Sequence, residues 1–174
     1  MTAEELLRSR IRDVPDFPRP GIVFKDITPL LADPETLRLA CERMADPFRG
    51  QSVDLVLGVE SRGFIFGPPV ALALGTGFTI ARKRGKLPWH TIEASYELEY
   101  GVEHIEMHSD AIRKGQRVLL IDDVIATGGT ATATARLAAS MGGEVVGSSF
   151  LLELAALDGR KALDPLPVYA VLAY

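Results

Sequence analysis

Between Val118 and Thr130 the chain runs through an apolar stretch (Val118-Leu119-Leu120-Ile121), two adjacent acids (Asp122-Asp123), Val124-Ile125-Ala126 and then Thr127-Gly128-Gly129-Thr130. A β-branched apolar run of this kind is a buried strand, and the glycines mark a turn. The helical pattern that follows, Thr130 to Met141, is stopped by Gly142-Gly143. Strand, tight turn and helix in succession leave little choice of architecture, because two parallel strands need a crossover and the crossover is normally a helix. The same alternation recurs. Val53 to Val59 reads as a strand followed by a helix from about Gly63 to Leu74, and Phe78 to Arg82, Glu144 to Leu154 and Val168 to Ala173 read as further strands. Strands with little internal alternation, separated by helices, predict an α/β fold: a mostly parallel sheet flanked by helices on both faces. In such sheets ligands bind beyond the carboxyl ends of the strands.

The remaining segments decorate that frame. Leu6, Leu7 and Ile11 have helical spacing, so residues from about Ala3 to Arg12 read as a short amphipathic helix. Val14 to Pro20, with prolines at 15, 18 and 20, reads as an extended arm. Asp33-Pro34-Glu35 is a helix start, with a capping carboxylate and proline in the first turn, and that helix is expected to run to about Phe48. Ala94, Tyr96, Leu98 and Tyr100 alternate with Ser95, Glu97 and Glu99, downstream of the cationic run Arg82-Lys83-Arg84-Gly85-Lys86. Together they suggest a flexible hairpin or lid inserted in the α/β domain. A length of 174 residues fits one domain. Met1 to Arg12 has no uninterrupted apolar stretch, so neither a signal peptide nor a membrane anchor is expected there, and the expected compartment is the cytoplasm. Cys41 is the only cysteine and reads as a buried thiol.

A helix N-terminus preceded by small residues is an anion site, because it presents unobstructed amides and the positive end of the helix dipole. Thr127 to Thr130 meet that description, with two hydroxyls added. The net charge is −4, so a phosphate-bearing ligand has to be held by such local groups, and nucleic acid and anionic membrane are not expected partners. Asp122 and Asp123 immediately before the loop would repel phosphate. They make sense as acceptors for sugar hydroxyls or for a hydrated Mg²⁺. A second loop, Gly58-Val59-Glu60-Ser61-Arg62-Gly63, also follows a strand and opens a helix, with Arg62 as a fork-shaped donor. No lysine follows the glycines of the Thr127–Thr130 loop as a Walker A motif requires, and no GxGxxG follows a first strand. His90, His104 and His108 share no metal-ligand spacing and read as surface residues.

The stretch Val118 to Thr130 resembles the phosphoribosyl pyrophosphate (PRPP) signature of the type I phosphoribosyltransferases. The segments Asp16 to Ile27, Arg82 to Pro88 and Ser95 to Gly101 resemble, in the same order, those of the adenine-specific branch of that family. The resemblance implies a single phosphoribosyltransferase domain over 1–174, with an N-terminal arm and base-binding hood over about 1–30 and a lid insertion over about 82–108. It implies transfer of the 5-phosphoribosyl group from PRPP to N9 of adenine, giving AMP and pyrophosphate in purine salvage. Ala126, Thr127, Gly128, Gly129 and Thr130 would grip the 5-phosphate, with Asp122 and Asp123 facing the ribose hydroxyls. Glu60, Ser61 and Arg62 would form the pyrophosphate loop, with a strained peptide at Glu60-Ser61, and Arg82 and Lys86 would also contact pyrophosphate. Val23, Phe24 and Lys25 would hold adenine, Phe24 by stacking and the other two through backbone groups. Glu99 would act as the acid–base group near N7; spacing alone does not separate it from Glu97. Mg²⁺ would be bound mainly through PRPP, with no metal held by protein side chains alone, and the protein would be a homodimer. Lys25 stands where arginine is common in the family, Trp89-His90 interrupts the lid, and the resemblance weakens after Leu154, so no chemistry is assigned to 157–174. Two alternatives stay open on the sequence: a related enzyme acting on a 6-oxo purine or orotate, and a non-catalytic PRPP sensor.

Overall fold

The computed structural model describes residues 1–98 and 101–174. The chain forms two compact units, Met1–Arg43 and Met44–Tyr174.

In the first unit, α1 (Ala3–Ser9) opens with a capping box: Glu5 N donates to Thr2 Oγ1 at 3.1 Å and Thr2 N donates to Glu5 Oε2 at 2.6 Å. The helix ends at Ser9, short of the expected Arg12, because the next residues join a sheet. β1 (Arg12–Pro15) pairs antiparallel with β2 (Val23–Asp26), in a register that sets Val14 opposite Phe24 and Asp13 opposite Lys25. The segment read as a plain extended arm is therefore, in its first part, one strand of a hairpin. α2 spans Thr28–Ala32 and α3 spans Pro34–Ala45. Asp33 Oδ1 caps α3 by accepting from Glu35 N and Thr36 N, both at 3.0 Å.

The second unit contains the main sheet. Its elements are β3 (Leu55–Val59), α4 (Gly63–Leu74), β4 (Gly77–Lys83), β5 (Thr91–Leu98), β6 (Gly101–His108), β7 (Arg117–Ile125), α5 (Gly129–Ser140), β8 (Glu144–Glu153), α6 (Arg160–Leu163) and β9 (Val168–Ala173). The strand order is β5-β6-β4-β3-β7-β8-β9. From β4 to β9 neighbouring strands are parallel, while β6 runs antiparallel to both β4 and β5. This is the mostly parallel, helix-flanked α/β fold expected from the alternation of apolar runs and helices. Val56, Leu57, Leu119, Leu120, Ile121, Phe150 and Leu151 are fully buried at its centre, each such side chain stabilising the fold by about 1.5–3 kcal/mol.

Two differences from the sequence expectation matter for the site. β7 does not stop at Ile121 but continues to Ile125, since β8 goes on pairing with it at Val124↔Leu152 and Ile125↔Glu153. Asp122 and Asp123 are thus held within a strand. The expected hairpin is present as β5 and β6, but the sequence did not show that it extends the main sheet at its edge, joined through Arg82↔Glu106 and Lys83↔Ile105. Among the described residues no helix is long and apolar enough to cross a membrane.

Candidate active site

At the carboxyl ends of β3 and β7, as the fold rule requires, a cleft of about 550 Å³ opens. It is lined by Glu60, Ser61 and Arg62 after β3, by Asp122 to Ala131 along β7 and the start of α5, and by Lys83, Lys86, Tyr96, Glu103 and Ile105. Most residues chosen from the sequence for phosphate and ribose therefore share one cavity.

The loop Ala126–Thr130 leads straight into α5. Gly128, the residue before the helix, has φ 83°, a left-handed conformation that an L side chain rarely takes. Opposite it sits the turn before α6. A Cβ on Gly128 would lie 2.5 Å from the Gly159 carbonyl oxygen, and one on Gly159 would lie 2.3 Å from the Ala126 carbonyl oxygen. Segment 158–162, to which the sequence assigned no chemistry, thus backs the loop. The contact of two glycine backbones far apart in sequence leaves no periodic signal to read.

The two acids differ as strand alternation demands. Asp123 is 5 % exposed and its Oδ2 pairs with Arg62 Nε at 2.6 Å. Asp122 Oδ1 accepts from Asp123 N at 2.8 Å. Burial pushes the Asp122 carboxyl well above the usual carboxylate range, and the neighbouring Asp123 charge adds to the rise. Burial also raises Asp123, against the opposing pull of the Arg62 guanidinium. Gly63 lets α4 approach this pair: a Cβ there would stand 2.7 Å from the Ile121 carbonyl oxygen and 3.1 Å from Asp122 Oδ1.

The Glu60-Ser61 peptide, singled out in the sequence, is cis. Glu60 collects the local donors: Lys86 Nζ at 2.6 Å, Lys83 N at 2.9 Å and Arg82 Nη2 at 3.4 Å. Burial pushes its carboxyl up, but the hydrogen bonds from Lys86, Lys83 and Arg82 outweigh this and hold it down at about 2. Arg82 reaches the cleft through Glu60, and its Nη1 donates to the Lys86 carbonyl oxygen at 3.0 Å.

A chain of side chains ties the sheet-edge hairpin to the glycine loop. Thr130 Oγ1 donates to Tyr96 Oη at 3.2 Å, Tyr96 Oη donates to Glu103 Oε2 at 3.0 Å, and Lys83 Nζ donates to Glu103 Oε1 at 3.1 Å. Burial raises the Tyr96 phenol, and the hydrogen bond from Lys83 lowers Glu103. Sequence reasoning placed Tyr96 on the apolar side of β5 and missed this link; the clue was a hydroxyl-bearing aromatic on an otherwise aliphatic face. Tyr96→Phe keeps the ring and cuts the chain, and it is expected to weaken binding of a phosphate ligand in the cleft by about 0.5–1.5 kcal/mol, as measured by calorimetric titration.

Val23, Phe24 and Lys25 are in β2 of the N-terminal unit. Val23 is exposed, the Phe24 ring meets Phe17 edge-on at 5.2 Å, and Lys25 Nζ pairs with Asp13 Oδ1 at 2.7 Å. Glu99 lies outside the described residues. His90 is exposed, as read, whereas His104 and His108 are half-buried. Cys41 is buried, which raises its thiol to about 11. Among the described residues no cluster of three or more His, Cys, Asp or Glu could hold a metal ion.

The phosphoribosyl transferase domain family matches residues 30–167, a span that includes both loops and the hairpin. An adenine phosphoribosyltransferase from Anaeromyxobacter dehalogenans is 55% identical over 170 residues, covering 98% of this chain and 99% of its own. The chain belongs to the adenine phosphoribosyltransferase family. Solved members superpose closely. The enzyme from Rhodothermus marinus is 58% identical with a TM-score of 0.94, covering 99% of this chain and 98% of the other. That from Saccharomyces cerevisiae, complexed with an imino-altritol bisphosphate and adenine, is 37% identical with a TM-score of 0.92, covering 97% and 98%. Family membership accounts for the order of the motifs along the chain.

Proposed function

We propose that the protein transfers the 5-phosphoribosyl group of PRPP to N9 of adenine, releasing pyrophosphate and AMP. The observation that carries the reading is the set of groups lining this cleft. The start of α5, the cations Arg62 and Lys86, and the acceptors Asp122 and Asp123 all border it. A molecule that carries a phosphate, a diphosphate and sugar hydroxyls matches that set of groups.

Ala126 to Thr130 bind the 5-phosphate through loop amides and hydroxyls. Asp122 and Asp123 accept from the ribose hydroxyls. Arg62, Arg82 and Lys86 bind the diphosphate, whose oxygens take over donors that Glu60 and Asp123 now hold. Adenine stacks on Phe24, and backbone groups of Val23 and Lys25 read its amino group and ring nitrogen. A 6-oxo purine offers the reversed donor and acceptor pattern and would leave polar groups unpaired. As the bond from the anomeric carbon to pyrophosphate oxygen breaks, N9 bonds to that carbon and the N9 proton passes to the departing pyrophosphate. Glu99 supports the charge that develops on the ring by hydrogen bonding at N7. The hard oxygen donors Asp122 and Asp123 suit Mg²⁺, which typically takes one or two carboxylates together with substrate phosphates. When bound through PRPP it would neutralise charge on the diphosphate.

The same reading makes the protein a homodimer in the cytoplasm. Ile65 and Leu72 on the exposed side of α4 offer apolar surface for a second copy, and the single cysteine fits a reducing compartment.

The test is incubation with PRPP, Mg²⁺ and one base at a time: adenine, hypoxanthine, guanine or orotate. Pyrophosphate release with adenine alone is the expected result. Turnover of another base would overturn the adenine assignment and leave the PRPP site standing. PRPP binding without any turnover would show a sensor.

A further inference from the structure

We infer that Glu106, a buried carboxylate outside the cleft, is a positioning residue for the cations that grip pyrophosphate; the inference rests on the pyrophosphate assignment made above. Glu106 lies on β6, only 5 % exposed, between Arg82 of β4 and Glu93 of β5 in the register. Among the described residues no lysine or arginine side chain pairs with it. Its charge is met instead by backbone: Oε1 accepts from Gly85 N at 3.1 Å, Lys86 N at 3.2 Å and Leu87 N at 3.2 Å, while Oε2 faces Thr91 Oγ1 at 3.4 Å.

A carboxylate is costly to bury without a countercharge, and three consecutive amides turned onto one oxygen form the concave nest that suits an anion. The two facts explain each other. The carboxylate curls residues 85–87 about itself, and Gly85, with φ 82°, permits the turn. The curl fixes Lys86 from both sides. Its amide is held by Glu106 and its carbonyl by Arg82 Nη1, and its ammonium reaches Glu60 in the cleft. Without the anchor, residues 84–88 lose three bonds to a fixed point and Lys86 samples many positions.

The experiment compares Glu106→Ala, Glu106→Asp and Glu106→Gln with the wild-type chain. Steady-state kinetics with PRPP and adenine are combined with amide hydrogen exchange across residues 84–90. Glu106→Ala is expected to raise KM for PRPP about tenfold, since small displacements of a binding group are amplified in binding and rate. KM for adenine should stay unchanged, and exchange at 85–87 should accelerate. Glu106→Asp keeps the charge but withdraws it from the amides, so it should behave like Glu106→Ala; it serves as the variant if alanine prevents folding. Glu106→Gln keeps an acceptor oxygen and should recover most of the PRPP affinity. Folded Glu106→Ala and Glu106→Asp variants with unchanged KM for PRPP, or with both KM values raised together, overturn the inference. If wild-type protein turns over no base and does not bind pyrophosphate, the pyrophosphate assignment fails first, and the exchange data then show whether Glu106 still anchors the turn.

Discussion

Gly159→Ala is expected to lower kcat/KM for PRPP by about a hundredfold, the scale on which a misplacement of roughly 1 Å acts, although the residue touches no ligand in the proposed reaction. Gly159 has φ −60° and ψ −23°, which alanine adopts freely, so the backbone itself is no obstacle. The obstacle is space. The new methyl would stand 2.3 Å from the Ala126 carbonyl oxygen and 2.9 Å from Ile125 Cγ1. Something must move, and the neighbour on the far side is the loop assigned to the 5-phosphate. Overpacking of this kind typically costs about 1–3 kcal/mol, so a modest fall in Tm should accompany the kinetic loss. Gly75→Ala is the control. Gly75 ends α4 with φ 70° and has open space where the Cβ would go, so it should lose stability and keep kcat/KM. Wild-type kinetics from Gly159→Ala would mean that the loop tolerates displacement and that the back wall is not a constraint on catalysis.

Asp122→Asn is expected to stabilise the fold while costing activity. Burial and the Asp123 charge raise the folded-state pKa of Asp122. The native protein therefore holds that proton more tightly than the unfolded chain does. Stability contributed by the proton is present at low pH, declines as pH rises from the ordinary carboxylate range through the raised value, and is absent above it. At neutral pH the group is a liability. A neutral amide of the same shape, still able to accept from Asp123 N, removes that liability, and a gain of about 1–2 kcal/mol is the usual size for such changes. PRPP binding moves the other way, because an amide is a weaker acceptor for a ribose hydroxyl than a carboxylate; a loss of about tenfold or more in PRPP affinity follows from the strength of charge-assisted bonds. The wild-type acid limb of PRPP binding should lie above the range of an ordinary carboxylate, and Asp122→Asn should shift it. Thermal unfolding from pH 5 to 8 and PRPP titration over the same range measure both effects. A variant less stable than wild type at pH 7 would show that the charge is stabilised in ways the geometry does not reveal.

How much of this was legible in the sequence depended on the range of the interactions. The strand–turn–helix at Val118 to Met141 was readable because its periodicity and its glycines are local. The same holds for the cap at Asp33 and the loop at Gly58 to Gly63. The spacing predicts a helix over Ala3 to Arg12, but it is shorter because Arg12 to Pro15 pair with β2, a strand that lies across the connection 16–22 and leaves no local signal. The end of β7 was misjudged for a similar reason: two aspartates look like a stop, yet the parallel neighbour β8 supplies partners as far as Ile125. Tyr96, Glu103 and Glu106 escaped notice because their partners, Thr130, Lys83 and the amides of 85–87, meet them through the sheet and not along it. Gly159 carried no signal at all, since what matters there is a missing atom opposite a carbonyl.

The Glu60 carboxylate gives the cleft a property that concerns departure more than arrival. Pyrophosphate carries several negative charges, and pulling it away from bare lysine and arginine side chains would mean separating opposite charges in a partly dry cavity, where attraction is stronger than in water. Glu60 remains ionised down to about pH 2 and lies within 2.6 Å of Lys86 Nζ. As the product leaves, its place beside the cations is taken by an anion already tethered to the chain. Release becomes an exchange of one counterion for another, and the cleft returns to a state ready for the next PRPP without ever exposing unbalanced charge.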